Sequence, residues 1–368
     1  MQDDFLIEKH IKFLERHLSL LPSSHQDSDP NKLVIVFYAI TGLYSLDHDI
    51  VSKYEANLSW LYKHYLTCTI PESSLEISGF IGSLSMDIPG VVAFSLTNTL
   101  FALLTFITMS DKHFFENILN IKSISNFVSK CQLTNGSFVS TLTATTYKPS
   151  KVDSSDLRVC YIAISILFLT GCRCKEDFSI YIDVDSLLQY VLKCKCFSGG
   201  FGSNDEAHSG HTSCALSLLS LLDCLDMLDE NFKEKTITWL LERQVSNQGC
   251  MRLQDGTNLY YDISDNGGFQ GRENKFADTC YSFWCLNSLQ ILTTEWKDLC
   301  DVTLVRKYLL GITQNKIIGG FSKTDEDRPD IFHTCMGIVA LTLIDGTLNG
   351  ELCLPKTTLE QFAIKFNK

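Results

Sequence analysis

Five times in this 368-residue chain a glycine–aromatic turn is followed by a short polar stretch and then an unusually apolar segment. The turns are Ser78-Gly79-Phe80, Asn135-Gly136-Ser137-Phe138, Gly199-Gly200-Phe201-Gly202, Gly267-Gly268-Phe269 and Gly319-Gly320-Phe321. Counted from Gly79, Gly136, Gly200, Gly268 and Gly320, they stand 57, 64, 68 and 52 residues apart. The apolar segments, 91–109, 158–171, 211–222, 279–292 and 333–344, read as helices that are apolar all round. Between them lie the more amphipathic stretches 118–131, 185–194, 230–244 and 303–314. A helix apolar on every face belongs in an inner layer, and an amphipathic one belongs outside with one wet face. A repeat must be weighed before any other fold assignment. This one predicts an all-α fold, an α/α barrel of inner and outer helices with the glycine turns on one rim.

The N-terminal part adds three helices. Residues 5–21 carry an apolar stripe of helical period and end at Pro22. After a polar loop at 23–32, helices are expected at 33–46 and 53–66, the latter with Trp60 and Leu61 as core anchors. The expected organisation is one domain over 1–368, with N-terminal helices in 1–70 and barrel repeats over 75–350. A polar insertion, 249–266, contains Asp255-Gly256, a hairpin signal.

Composition narrows the setting. A net charge of −12 argues against nucleic acid as a partner. It suits basic ligands, although simple solubility explains such a charge more often. Residues 91–109 carry no charge and are about long enough to cross a bilayer. Their one Asn, one Ser and four Thr, and their place in the repeat, favour the centre of a large fold. The fifteen cysteines are odd in number and lie mostly in apolar helical stretches. With no leader apparent, free thiols in a reducing cytoplasm are expected.

Chemistry concentrates in 267–284, Gly-Gly-Phe-Gln-Gly-Arg-Glu-Asn-Lys-Phe-Ala-Asp-Thr-Cys-Tyr-Ser-Phe-Trp. Asp278 and Cys280 open an apolar helix and can share one metal ion. They supply two ligands where an open zinc site takes three. His333 opens the next inner helix, in the place that Cys280 holds in its own repeat. The three would meet on one rim, although a histidine at a helix start also serves as a cap. Cations gather at the same rim: Arg272 and Lys275 in one turn, Lys323 in the next, Arg158 and His208 at earlier helix starts. Tyr281 adds a hydroxyl. Helix N-termini favour anions, so the collection points to a phosphate-rich ligand. The alternative is that each cation pairs with a nearby acid such as Asp205, Glu273 or Asp327.

The stretch 267–284 resembles the signature of the protein prenyltransferase β-subunits. Glu206-Ala-His-Ser-Gly-His-Thr-Ser-Cys and Phe332-His-Thr-Cys-Met-Gly resemble two further blocks of that family, and the N-terminal helices resemble it too. The resemblance implies a zinc-dependent transferase with Asp278, Cys280 and His333 as zinc ligands. It implies His208, Arg272, Lys275 and Tyr281 as the residues that bind an isoprenoid diphosphate. Arg158 matches an arginine at the cavity floor near the peptide C-terminus, and Trp284 an aromatic residue of the lipid tunnel. A helical-repeat α-subunit is the implied partner in a heterodimer. The implied reaction is attack by a protein-substrate thiolate on C1 of an allylic diphosphate, with cations stabilising the departing diphosphate. One departure from the family is His211, where farnesyl and Rab-type relatives commonly have tyrosine.

Within the family, Leu33-Val-Ile-Val-Phe-Tyr-Ala-Ile-Thr-Gly-Leu resembles the geranylgeranyl type I branch. Val34 stands near a tryptophan that shortens the tunnel in farnesyl enzymes, and leaves room for five more carbons. Lys323 stands where farnesyl and Rab-type enzymes carry an aspartate associated with magnesium. A requirement for Mg2+ is therefore not expected there, although Asp325 and Asp327 are near. The expected substrates are geranylgeranyl diphosphate and proteins ending in C-a-a-X, with X usually Leu or Phe, such as Rho-type small GTPases. The alternatives are a farnesyl or Rab-type β-subunit, or a non-catalytic toroid that serves as an interaction module.

Overall fold

The computed structural model describes residues 4–21, 23–246 and 262–366. Its longer helices are α1 (Ile7–Ser19), α2 (Lys32–Ser45), α3 (Leu96–Thr108), α4 (Ile121–Lys130), α5 (Leu157–Leu169) and α6 (Val184–Lys193). They continue with α7 (Ser209–Leu221), α8 (Glu230–Leu241), α9 (Thr279–Leu292), α10 (Val302–Tyr308), α11 (Ile331–Asp345) and α12 (Lys356–Phe366). Helices α2, α3, α5, α7, α9 and α11 pack side by side in that order, and α11 returns to α2. The six close a ring. Their sequences explain the position, because helices such as α3, α7 and α11 bury residues on every face. Helices α4, α6 and α8 bury one face each and lie outside.

This is the α/α barrel that the repeat implies, with one addition. Five inner helices follow from the five apolar segments; the sixth is α2, expected only as an N-terminal helix. It buries Leu33, Phe37, Ile40 and Leu43 in the wall of the ring.

The outer layer closes through the glycine turns. Gly136 lies against Ser186 of α6, Gly199 against Lys235 of α8, and Gly267 against Leu304 of α10. The last, Gly319, lies against Lys9 of α1, joining the end of the repeat to its beginning. There a Cβ would stand 2.3 Å from the Lys9 carbonyl oxygen, and φ is +78°, so glycine alone fits. His10 completes the seam: it is buried, stacks on Phe321 at 4.8 Å, and its Nδ1 accepts from the Gly320 amide at 2.9 Å. Phe138, Phe201, Phe269 and Phe321 of the turns are fully buried. The Phe201 and Phe321 amides donate to Thr212 and Thr334 in the following inner helix, at 2.9 and 3.0 Å.

The inner helices start on one rim. The amides of Leu96, Ser209 and Thr279 donate to the carbonyls of Ser140, Gly271 and Lys323. Each start is thus tied to the turn ahead of the next inner helix.

Several expectations change near the N-terminus. Ser78-Gly79-Phe80 is not a turn but the end of strand β2 (Leu75–Phe80), paired antiparallel with β1 (Tyr65–Ile70). β-Branched and aromatic residues in both segments suit a pleated surface and override the helical reading of 53–66. That reading gives way to the short helices Ile50–Tyr54 and Leu58–Tyr62. Leu61 is buried, but Trp60 is 36% exposed and no core anchor. The helix expected over 91–109 starts at Leu96, capped by Ser95, rather than at residue 91. No helix among the described residues is long and apolar enough to cross a membrane. The hairpin expected at Asp255-Gly256 lies outside the described residues.

Candidate active site

The fold brings Asp278, Cys280 and His333 together. One ligand atom from each lies within 4.8 Å of the others, in the only such group of three among the described residues. Asp278 and Cys280 are 5% and 6% exposed, and the His333 side chain 12%. Local structure sets each one. Asp278 is the N-cap of α9, and its Oδ1 accepts from the Cys280 amide at 2.8 Å. Asp330 caps α11 in the same way, with Oδ1 on the His333 amide at 2.8 Å. Its Oδ2 lies 2.6 Å from His333 Nδ1. That carboxylate holds the proton on Nδ1 and turns Nε2 toward Asp278 Oδ1, 3.3 Å away.

The electrostatics suit a cation. Burial pushes the Cys280 thiol well above its ordinary range, and the Asp278 carboxylate adds to it. Burial alone would lower the His333 imidazole, but Asp278 and Asp330 outweigh it and raise the group to about 9. A thiol, a carboxylate and an imidazole on one point form the N, S and O donor set that zinc accepts. Three protein ligands leave its fourth position open.

Asp330 is a site residue that the sequence reading missed. Its signal was present as an acid at the N-cap, three residues before the histidine. Asp330→Asn keeps a capping side chain but loses the charge against Nδ1. We expect zinc affinity to fall by roughly 10- to 100-fold, read by chelator competition. An unchanged affinity would remove Asp330 from this role.

Below the triad lies a cavity of about 730 Å³. Val34, Arg158, His208, Tyr281 and Trp284 line it together with Asp278, Cys280 and His333. Arg158 sits in the first turn of α5, and its side chain is 61% exposed. Its guanidinium forks onto Asp156, with Nη2–Oδ2 at 2.6 Å and Nε–Oδ1 at 3.1 Å.

The remaining cations stand on the turns beside these helix starts. Arg272 pairs with Glu206 at 2.7 Å, both side chains well exposed. The acids suggested from sequence as partners serve elsewhere. Glu273 meets Arg243 and Trp239, Asp205 accepts from the Phe197 amide, and Asp327 accepts from Thr324. Lys275 and Lys323 are exposed and make no ion pair among the described residues. His208 caps α7, with Nδ1 accepting from the Gly210 amide at 3.1 Å. Its proton therefore sits on Nε2 and points at the Tyr281 hydroxyl, 3.2 Å away. Burial, with His211, Arg272 and Arg158 nearby, lowers His208 to about 4, so it is neutral at pH 7.

A ring of paired helices with a buried Asp–Cys–His group over an apolar cavity defines a class of enzyme, and the comparisons agree. Residues 5–367 match the family described as the prenyltransferase alpha-alpha toroid domain. The chain belongs to the prenyltransferase family, among the protein prenyltransferase β-subunits. It is 30% identical over 361 residues to the geranylgeranyl transferase type-1 subunit beta of Dictyostelium discoideum, covering 91% of this chain and 90% of that one. It is 28% identical over 367 residues to the Arabidopsis thaliana subunit of the same name, covering 95% and 88%. A solved structure of Candida albicans protein geranylgeranyltransferase-I complexed with GGPP superposes with a TM-score of 0.83 at 31% identity, over 99% of each chain.

Proposed function

We propose that this chain is the catalytic β-subunit of a protein geranylgeranyltransferase type I. It pairs with an α-subunit and transfers a C20 isoprenoid from geranylgeranyl diphosphate to the cysteine of a C-terminal C-a-a-X sequence. The observation that carries this reading is the Asp278–Cys280–His333 group at the head of a large apolar cavity. Zinc held there would lower the pKa of a coordinated substrate thiol and present it as thiolate at neutral pH.

The chain's own groups do the rest. Asp330 fixes the His333 tautomer. Neutral His208 donates from Nε2 to the Tyr281 oxygen, which frees the phenol O–H to point at a phosphate oxygen. The pair of Arg272 with exposed Glu206 is worth at most about 1 kcal/mol, so an incoming diphosphate displaces it readily. Arg272, Lys275 and Lys323 then meet the charge that grows on the leaving group. Lys323 brings a positive charge to the rim without a divalent ion. The apolar walls exclude water from the reacting carbon.

Steady-state transfer by the heterodimer tests this directly, with geranylgeranyl and farnesyl diphosphate on C-a-a-L and C-a-a-S peptides. We expect a preference for geranylgeranyl with C-a-a-L. Val34→Trp should swing the lipid preference toward farnesyl by about 100-fold, because steric loss of even one methylene's space is felt. A native preference for farnesyl with C-a-a-S would overturn the type I assignment.

A further inference from the structure

The end of the ring opposite the rim is closed by the chain's C-terminal segment. Strands β3 (Leu348–Asn349) and β4 (Leu354–Pro355) pair antiparallel around the turn Gly350-Glu351-Leu352-Cys353. All four turn residues line the same cavity as the Asp–Cys–His group.

The turn is inserted into the ring and anchored there on three helices. Ser220, in the last turn of α7, donates to the Glu351 carboxylate. Tyr161 of α5 donates to the Glu351 carbonyl at 2.7 Å. Gly350 lies against Asn287, midway along α9, where a Cβ would stand 2.0 Å from Oδ1. Asn287 is itself held by Ser213 and Ser217 of α7, at 2.9 and 3.1 Å. Leu352 is 1% exposed and belongs to the core.

Cys353 differs from its neighbours. It is half-buried, packs against both halves of the core, and gives its remaining surface to the cavity. Its φ is +54°, a left-handed conformation that disfavours a side chain. Burial raises its thiol to about 12, so it stays protonated and meets a ligand as a small apolar group.

We propose that this turn is the floor on which the far end of the prenyl chain stops, and that the Cys353 side chain sets the depth of the cavity. Prenyl length is then controlled from two directions, by Val34 in the α2 wall and by Cys353 from below. The inference rests on the isoprenoid reading of the cavity given above.

Two substitutions change the floor in opposite senses. Cys353→Gly removes the side chain and suits the positive φ, so the fold is retained. Cys353→Phe fills the same space. The heterodimer is assayed for kcat/KM on a C-a-a-L peptide with C15, C20 and C25 prenyl diphosphates. Hydrophobic pockets discriminate one methylene by roughly 10-fold or more. Cys353→Gly should therefore raise the C25-to-C20 ratio about 10-fold, and Cys353→Phe should lower the C20-to-C15 ratio by about as much. If Cys353→Phe does not fold, Cys353→Gly decides alone. A C20-selective native complex whose ratio stays within about twofold in Cys353→Gly overturns the floor assignment and leaves the type I reading standing. No transfer by the native complex with any of the three diphosphates overturns both.

Discussion

Replacing Cys280 with alanine should strip the complex of tightly held zinc and abolish measurable prenyl transfer. Structural zinc binds with about 10–16 kcal/mol over four ligands, so each ligand carries roughly 3 kcal/mol, on the order of a 100-fold change in affinity. The chain supplies three ligands, and none of the remaining described His, Cys, Asp or Glu side chains makes another such group. The fold should tolerate the change. Cys280 is a small buried side chain on α9, and alanine there favours the helix. A melting temperature near that of the native complex, with zinc content and transfer both lost, is the expected pattern. Native activity, or undiminished zinc in the purified variant, would refute the assignment of the site.

Arg272→Ala is expected to lower kcat by about 100- to 1,000-fold, the usual effect of deleting one donor aimed at developing negative charge. The ground state gives it little structural work. Its partner Glu206 is exposed, and the two are joined only across the turns ahead of α7 and α9. The variant should therefore melt like the native protein. Arg272→Lys should recover part of the rate, since it restores the charge without the planar fork. Pre-steady-state transfer with geranylgeranyl diphosphate separates this effect from product release. A rate for Arg272→Ala within about threefold of native would show that the diphosphate is held elsewhere on the rim.

Both predictions rest on residues that were legible in the chain before any fold was seen. Asp278 and Cys280 stand two apart at a helix start, and Arg272 and Lys275 occupy the turn just ahead. Such patterns are local: a cap, a turn and an apolar period are written within a few residues of one another. The repeat is local in the same sense. The α/α barrel followed from it, as did the alternation of inner and outer helices.

Other features depended on contacts that no local pattern records. Trp60 has the look of a core residue but lies at the surface beside His64. Gly79 has the look of a turn but sits in a strand, because 65–80 pairs with itself as a hairpin. The partners of the rim cations were misjudged, since Glu206 and Asp156 reach them while Glu273 turns inward to Arg243.

By itself the sequence determined five of the inner helices, which rim carries the chemistry, and that Asp278, Cys280 and His333 lie at adjacent inner helix starts. Only the tertiary structure decided that α2 is the sixth wall and that Gly319 seals the last turn onto Lys9. It alone brought the turn at 350–353 up inside the ring. The reason is physical. Helical period and capping are fixed by neighbours along the chain. Ring closure joins residues about three hundred apart, and depends on whether two distant surfaces, such as Gly319 and the backbone of α1, can approach without a side chain between them.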